Sequence, residues 1–250
     1  MRLLSTAALL DIALVATDMD GTLTKEGKFT SELLSALESL QQANIAVLIV
    51  TGRSAGWVNA VANYLPVVGA IAENGGLFYN NQNQTSEFID GLDIASHRSE
   101  LRSVWQDLQH EFPRITESTD NQFRLTDWTF DIGDLTVAEL TQMADICREA
   151  GLGFTYSTVQ CHIKPLQQSK AIALSQVIAK HFPELTPQQV VTVGDSPNDE
   201  SLFNSEYFPV SVGVANIQHY SDRLTHKPAY ITPSAEVTGF EELADKLMKN

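Results

Sequence analysis

Short, continuously apolar runs alternate with amphipathic stretches near both ends of the chain. The four runs span residues 12–17, 45–50, 67–72 and 190–193. Runs of this length are typical of strands that are buried on both faces of a parallel sheet. Between the first two runs, Leu33, Leu37 and Leu40 recur at helical spacing, and a second helix is predicted over residues 54–64. The order strand, helix, strand, helix indicates a doubly wound α/β sheet.

The pattern changes at a polar stretch around residues 80–84. Beyond it the sequence predicts two helices and four alternating strands, an order typical of a small α+β unit. The helices are predicted over residues 95–112 and 137–150, and the strands around residues 114–119, 123–132, 154–157 and 159–164. The α/β pattern resumes with a helix over residues 169–182. We therefore expect a Rossmann-like α/β core, formed by residues 1–82 and 166–250, with an inserted α+β cap domain at residues 83–165.

Composition narrows the range of partners. The 250 residues are 43% hydrophobic, enough for a sizeable core, and the net charge of −15 at pH 7 repels nucleic acid and anionic membranes. Two cysteines make no disulfide framework, and no apolar segment of the sequence approaches the length of a membrane span. We expect a cytoplasmic protein whose partner is a small molecule, not nucleic acid or a membrane. The oligomeric state stays open.

Polar loops that contain glycine follow the predicted strands. The loops carry Asp18-Met19-Asp20-Gly21-Thr22, Thr51-Gly52-Arg53, Glu73-Asn74-Gly75-Gly76 and Gly194-Asp195-Ser196-Pro197-Asn198-Asp199. Lys170 stands in the first turn of the helix that follows the insertion. Because ligands bind beyond the carboxyl ends of the strands in an open parallel sheet, we expect these loops to meet around one site.

Four aspartates at this edge indicate the chemistry of the site. Asp18, Asp20, Asp195 and Asp199 would raise each other's pKa values unless a cation offset their charges, and Mg²⁺ is bound by such carboxylates together with phosphate oxygens. A carboxylate in this setting can attack phosphorus, while a second one protonates the leaving alcohol and later activates water. Glycine at position 21 or 52 lets backbone N–H groups approach phosphoryl oxygens closely. The sequence therefore predicts a phosphate ester as the substrate.

These motifs resemble those of a known superfamily. DMDGT at residues 18–22, Thr51 of VTGRS, Lys170 and GDSPND at residues 194–199 are similar to the four motifs of haloacid dehalogenase superfamily phosphatases. The insertion between the second and third motifs resembles the type-IIB, Cof-like and sugar-phosphate phosphatase branch, as do ENGG and VGVAN. The short insertion is nearer to the sucrose-phosphate and mannosyl-phosphoglycerate phosphatase style than to larger Cof members.

The resemblance implies a role for each matching residue. Asp18 corresponds to the nucleophile, Asp20 to the general acid and base, and Thr51 and Lys170 to groups that bind the phosphoryl oxygens. Magnesium ligands are implied at Asp18, at the backbone carbonyl of Asp20 and at Asp195, with Asn198 and Asp199 orienting Lys170 and metal-bound water. The candidate substrate contacts are Gly21, Gly52, Arg53, Asn74 and Asn198 in the core, and Arg124 and Lys164 in the cap.

Other polar and aromatic residues have simpler interpretations. Thr126, Asp127 and His162 alternate with apolar residues on predicted cap strands, which is typical of a solvated sheet face. Trp57 and Val61 stand at helical spacing, which favours core packing.

Three functions stay open from the sequence. The first is a magnesium-dependent phosphomonoesterase for a sugar phosphate or similar metabolite. The second is a phosphomutase of the phosphomannomutase type, which would convert a hexose 1-phosphate to the 6-phosphate instead of releasing phosphate. The third is a non-catalytic module that binds sugar phosphates without turnover.

Overall fold

The computed structural model describes residues 1–89 and 93–249. Its strands are β1 (Arg2–Leu3), β2 (Leu14–Thr17), β3 (Ala46–Val50), β4 (Gly69–Ala72), β5 (Leu77–Asn80), β6 (Thr85–Phe88), β7 (Trp128–Asp131), β8 (Leu152–Tyr156), β9 (Gln160–Pro165), β10 (Val190–Gly194), β11 (Val210–Gly213) and β12 (Tyr230–Ile231). Its α-helices are α1 (Ser31–Gln42), α2 (Ala55–Tyr64), α3 (Ile94–Glu111), α4 (Val137–Glu149), α5 (Lys170–His181) and α6 (Glu236–Leu247). Short 3₁₀ helices lie at Leu4–Thr6, Asn121–Phe123, Pro187–Gln189, Pro197–Phe203 and Ala215–Tyr220.

A large, mostly parallel sheet organises the chain. Within the described residues it has nine strands in the order β1-β12-β11-β10-β2-β3-β4-β5-β6. All pairs from β1 to β4 along this order are parallel, and β5 and β6 add antiparallel strands at one edge. The predicted α/β fold class is confirmed, and the four predicted core strands are β2, β3, β4 and β10.

Helices cover both faces of this sheet. On one face α1, α2 and α6 pack on Val15, Val47 and Ile49, and on the other α5 packs on Leu14 and Leu48. Successive residues of a strand point to opposite faces, so burial of both faces explains why these strands are continuously apolar. In the described part of the chain, no helix combines the length and the apolar character needed to cross a bilayer.

A smaller unit lies between α2 and α5 in the chain. Its residues, 94–165, are called the small unit below, and the remainder is called the large unit. In the described residues the antiparallel strands β7-β9-β8 form its sheet. That sheet and helices α3 and α4 share an apolar cluster built around Trp105, Phe130 and Met143.

The predicted domain boundaries stay a prediction. Strand β6 (Thr85–Phe88) pairs with β5 of the large sheet, although it follows the predicted boundary at residue 82. The large sheet therefore extends into the segment 83–165 that was predicted to be the cap. Residues 90–92 of that segment, and residue 250 of the predicted core, lie outside the described residues.

Two predicted strands of the small unit are wrong in extent. Residues 114–119 contribute only an isolated bridge, from Glu117 to Phe130, and the strand predicted over residues 123–132 is limited to β7. One reason is Asn121, whose side-chain amide donates to the carbonyl of Thr129 and accepts from its N–H, at 2.6 and 2.9 Å. The side chain of Asn121 thus shares this edge of β7 with the backbone of residues 116–118, which a pattern of apolar positions does not reveal.

Candidate active site

The loops after β2, β3, β4 and β10 meet at one edge of the large sheet, next to the start of α5. Thr17 at the end of β2 lies opposite both Ile49 and Val193 in the neighbouring strands. The residues that directly follow these strands are therefore brought side by side. They include Asp18 and Thr51, both buried. The structure thus brings together the loops that the sequence predicted to meet.

Lys170 is enclosed between two carboxylates. Its Nζ donates to Oδ1 of Asp18 at 2.5 Å and to Oδ1 of Asp199 at 2.6 Å, and the ammonium group is fully buried. Burial alone would lower the pKa of Lys170, but the charges and hydrogen bonds of Asp18 and Asp199 raise it above its ordinary value. Ser169 caps α5 by accepting from the N–H of Ile172, which fixes Lys170 as the first helical residue. Lys170 is therefore held as a cation in the site.

Three carboxylates form a cluster around this lysine. Oxygen atoms of Asp18, Asp195 and Asp199 all lie within 4.8 Å of one another. Burial and the charge of Asp199 raise the pKa of Asp18 to about 7, and burial and the charge of Asp18 raise that of Asp195. With one ammonium among three carboxylates, the cluster lacks positive charge, and its oxygen donors are those that Mg²⁺ prefers. The residues present therefore fit a magnesium ion.

Asp20 is not part of this carboxylate cluster. Its two side-chain oxygens accept from Nε and Nη2 of Arg53, at 2.8 and 2.6 Å. Of the implied magnesium ligands, Asp18 and Asp195 lie in the cluster, while the backbone carbonyl of Asp20 stays a prediction. Arg53 also lies 5.4 Å from the ring centroid of Trp57, whose side chain is 42% exposed. The prediction that Trp57 packs in the core is wrong.

Gly21 approaches the carboxylate cluster closely. Its φ is +78°, and a Cβ atom built on it would stand 2.5 Å from Oδ2 of Asp195. That same oxygen accepts from Nδ2 of Asn216 at 2.7 Å, and Asn216 also donates to the carbonyl of Gly21. Glycine is needed here both for the positive φ and for the missing side chain. Asn216 was not predicted as a site residue, although the VGVAN motif contains it.

Thr51, Gly52, Asn74 and Asn198 form the next layer of the site. The hydroxyl of Thr51 accepts from the N–H of Arg53 at 3.2 Å. Oδ1 of Asn74 accepts from Nδ2 of Asn198 at 3.1 Å, whereas Nδ2 of Asn74 is buried with no hydrogen-bond partner among the described residues. A buried donor without a partner is costly unless a ligand accepts from it.

The small unit contributes a buried polar face to the site. Thr126, Asp127 and His162 are at most 1% exposed, so their interpretation as a solvated sheet face is wrong. Nδ1 of His162 lies 2.9 Å from Oδ2 of Asp127. These residues face the large unit instead of water. The alternation of polar and apolar residues in the sequence is the same in either case, so it does not distinguish the two environments.

The two predicted substrate contacts of the small unit are engaged with the protein. Arg124 donates to the carboxylates of Asp120 and Asp127 and, at 2.9 Å, to the carbonyl of Gly52. Lys164 donates to the carbonyl of Gln168, and burial lowers its pKa to about 8. Lys164 also lines a cleft of about 360 Å³ that reaches Lys170. The structure thus places Arg124 between the two units and Lys164 near the site.

Little space is left between the two units at the carboxylates. The cavity there has a volume of about 20 Å³, lined from the large unit by Asp18, Asp20 and Arg53 and from the small unit by Gln160 and His162 among others. Such a volume holds about one water molecule. The cavity at the carboxylates is thus too small to hold a phosphate ester.

Comparison with known proteins assigns the chain to a family. A sequence model of the sucrose-6F-phosphate phosphohydrolase family matches residues 12–240. The chain belongs to this family. Phosphoglycolate phosphatase 1 of Saccharolobus solfataricus is 28% identical over 245 residues, which cover 95% of this chain and 96% of that protein.

Solved structures agree with this family in fold. The sucrose-phosphatase from Synechocystis sp. PCC6803, in complex with sucrose and phosphate, has a TM-score of 0.72 at 17% identity, covering 98% of each chain. A sugar phosphatase of haloacid dehalogenase subclass IIB has a TM-score of 0.69 at 14% identity, covering 94% of this chain and 98% of that one. The chain is a phosphatase by its family and its relative, as predicted, and its fold is that of haloacid dehalogenase superfamily phosphatases, as the resemblance implied.

In this phosphatase, Glu73, whose loop was predicted to reach the site, makes a contact that the sequence did not reveal. Its carboxylate accepts from the N–H groups of Ala55 at the start of α2 and of Leu125 and Thr126 in the small unit, at 2.6 to 3.1 Å. Burial and the charge of Asp127 raise the pKa of Glu73. Glu73 therefore joins the two units beside the active site. The ENGG motif marked its position but not this contact.

Proposed function

We propose that this phosphatase is a magnesium-dependent phosphomonoesterase that transfers the phosphoryl group of a small ester to Asp18. The anchoring of Asp18 carries the proposal. Lys170 holds Oδ1 of Asp18, whereas Oδ2 accepts no hydrogen bond from the described residues. A carboxylate with one oxygen fixed and the other free is prepared to act as a nucleophile.

The reaction has two balanced steps. In the first, an oxygen of Asp18 forms a bond to phosphorus, the ester P–O bond breaks, and Asp20 gives a proton to the leaving alkoxide. In the second, water attacks the aspartyl-phosphate and loses a proton to Asp20, which frees inorganic phosphate and restores Asp18. Arg53 occupies both oxygens of Asp20 in the structure, so the leaving group must displace at least one of these hydrogen bonds.

Residues around Asp18 are suited to the transferring phosphoryl group. Lys170 supplies positive charge, and Thr51 directly follows the adjacent strand β3 and lines the cavity. The unpartnered Nδ2 of Asn74 is a further donor for a phosphoryl oxygen. Donors fixed before the reaction stabilise developing charge without reorganisation.

The carboxylates of Asp18, Asp195 and Asp199 are the side chains that would hold the magnesium ion, with the carbonyl of Asp20 proposed as a further ligand. When bound, the ion supplies positive charge that keeps Asp18 ionised and offsets the charge of the phosphoryl group. Asn216 and Gly21 hold Asp195 in place for this task.

The relatives indicate the class of substrate. The matched family is described as a sucrose-6F-phosphate phosphohydrolase, and the relative from Saccharolobus solfataricus as a phosphoglycolate phosphatase. Both names describe phosphomonoesters of small hydroxylated molecules. We therefore expect a sugar phosphate or phosphoglycolate to be hydrolysed.

Phosphate release from purified protein tests the proposal. With MgCl₂, the wild type should release phosphate from at least one member of a panel of sugar phosphates and 2-phosphoglycolate, and chelation with EDTA should stop it. Asp18→Asn should lose at least about a thousandfold in kcat because the amide is a poor nucleophile. Asp107→Asn, on the exposed side of α3, is the matched control and should keep full activity.

Three results would contradict the proposal. Release of phosphate by Asp18→Asn at the wild-type rate would exclude Asp18 as the nucleophile. Full activity in EDTA would exclude the magnesium requirement. Conversion of a hexose 1-phosphate to the 6-phosphate without release of phosphate would identify a phosphomutase.

A further inference from the structure

We propose that His162 determines substrate specificity by accepting, at Nε2, a hydrogen bond from a hydroxyl group of the leaving alcohol. Asp127 is the positioning residue that holds the imidazole for this task. The inference rests on the proposed phosphatase function and adds a group that reads the part of the substrate beyond the phosphate.

His162 stands where the leaving group must lie. It belongs to β9 of the small unit, is 1% exposed, and lines the small cavity together with Asp18 and Asp20. Its Cε1 is 3.1 Å from the position that a Cβ atom on Gly52 would occupy. The ring thus lies beside the loop after β3 and lines the same cavity as the nucleophile. Asp20, the proposed proton donor to the leaving oxygen, shares this cavity.

The partners of His162 decide which ring nitrogen carries hydrogen. Nδ1 lies 2.9 Å from Oδ2 of Asp127, and Arg124 donates to both oxygens of that carboxylate at 3.0 Å. Burial alone would raise the pKa of Asp127, but the charge of Arg124 and the hydrogen bond of His162 bring it below its ordinary value. An ionised carboxylate only accepts, so Nδ1 must donate.

Nε2 is consequently an acceptor. Burial lowers the pKa of His162 despite the neighbouring Asp127, which favours the neutral ring. In a neutral imidazole with hydrogen on Nδ1, Nε2 presents a lone pair. No group among the described residues donates to it. The lone pair of Nε2 therefore has no partner among the described residues, in a ring that lines the cavity.

A lone pair at this position discriminates between leaving groups. A hydroxyl group of a sugar donates to Nε2, whereas the carboxylate of glycolate brings only acceptor oxygens and would be repelled. Sites that contain a fixed hydrogen-bonding group discriminate strongly against substrates that cannot satisfy it. Sugar phosphates should therefore be preferred over 2-phosphoglycolate, and His162 should be the source of part of that preference.

His162→Asn is the informative variant. The amide of asparagine can occupy the position of Nδ1 and donate to Asp127, but it has no atom at the position of Nε2. We expect kcat/KM for the preferred sugar phosphate to fall about 10- to 100-fold, since a buried substrate hydroxyl would lose its acceptor. For p-nitrophenyl phosphate, whose leaving group carries no further hydroxyl, the change should be less than about threefold. The ratio of kcat/KM for the sugar phosphate to kcat/KM for 2-phosphoglycolate should therefore fall.

Deoxy analogues of the sugar phosphate provide a second measurement that needs no variant. In the wild type, removal of one particular hydroxyl should lower kcat/KM about tenfold or more, and in His162→Asn the same removal should have little effect. His181→Asn is the control, because His181 pairs with Glu87 at the far end of α5. That variant should behave as the wild type with every substrate.

Failure of the inference is distinct from failure of the proposed function. An equal loss for all substrates in His162→Asn would assign the residue a structural role and overturn the inference. Should the variant not fold, a wild-type deoxy series in which no single hydroxyl matters would overturn it equally. If the wild type hydrolysed no phosphate ester at all, the proposed function itself would be wrong.

Discussion

Replacement of Lys170 by methionine tests how strongly the buried ammonium group stabilises the carboxylates around it. Methionine has a similar length but no charge. In the wild type, the ammonium group lies within 2.6 Å of oxygens of Asp18 and Asp199 and is fully buried. Lys170→Met leaves these two carboxylates and Asp195 within 4.8 Å of one another with no protein cation between them.

The expected magnitude follows from this arrangement. Removal of one partner from a buried ion pair typically costs about 3–5 kcal/mol. For a chain of this size, each kcal/mol changes the melting temperature by roughly 2–4 °C, so Lys170→Met should melt about 6–20 °C below the wild type. Added MgCl₂ should reduce this difference in melting temperature, because a bound cation replaces part of the missing positive charge. The variant should also lose phosphatase activity.

Urea unfolding followed by circular dichroism, in EDTA and in MgCl₂, measures this cost. Lys180→Met is the matched control, because Lys180 is on the same helix and its ion pair with Glu87 is largely exposed. Such pairs contribute at most about 1 kcal/mol. If Lys170→Met and Lys180→Met had the same free energy of unfolding in EDTA, the carboxylate cluster would not carry the negative charge that Lys170 is expected to offset.

Three further predictions concern residues around the site. Glu73→Gln should lower the free energy of unfolding by about 2–4 kcal/mol in urea titrations, because an amide NH₂ would face backbone donors, and an unchanged value would contradict this contact. Gly21→Ala should weaken Mg²⁺ binding in calorimetric titrations because its Cβ would clash with Asp195. Its control Gly133→Ala, also at positive φ but with open space, should bind normally. Because the folded-state pKa of Lys164 is lowered to about 8, the unfolded chain binds more protons above that pH. The free energy of unfolding of the wild type should therefore increase relative to that of Lys164→Met as the pH rises from 8 to 10. A decrease in this difference would contradict the burial of Lys164.

The central strands could be predicted from the sequence because one physical cause produces their pattern. Residues 45–50 are continuously apolar since helices cover both faces of β3. The edge strand β1 and its neighbour β12 contain two residues each, too few for any periodicity. Strand β6 was missed because its residues are mostly exposed at the edge of the sheet, where no apolar pattern is required.

The two halves of the active site were unequally predictable. Asp18, Thr51 and Asp195 each follow an apolar strand directly, so the topology of the sheet alone brings them together. His162 lies on β9 and Asp127 directly precedes β7, and the sequence pattern around these polar residues is the same whether water or a second unit covers them. Their partnership depends on how the small unit packs on the large one, which local sequence does not encode.

The two units are joined by hydrogen bonds and by apolar contacts. Glu73, Arg124 and Gln168 are among the groups whose hydrogen bonds connect the units, while Leu125 of the small unit packs on an apolar cluster of the large unit. Water can replace such hydrogen bonds at small net cost, whereas exposure of apolar surface would be penalised in proportion to its area. Separation of the units would therefore leave the polar groups hydrated but would expose the apolar side chain of Leu125.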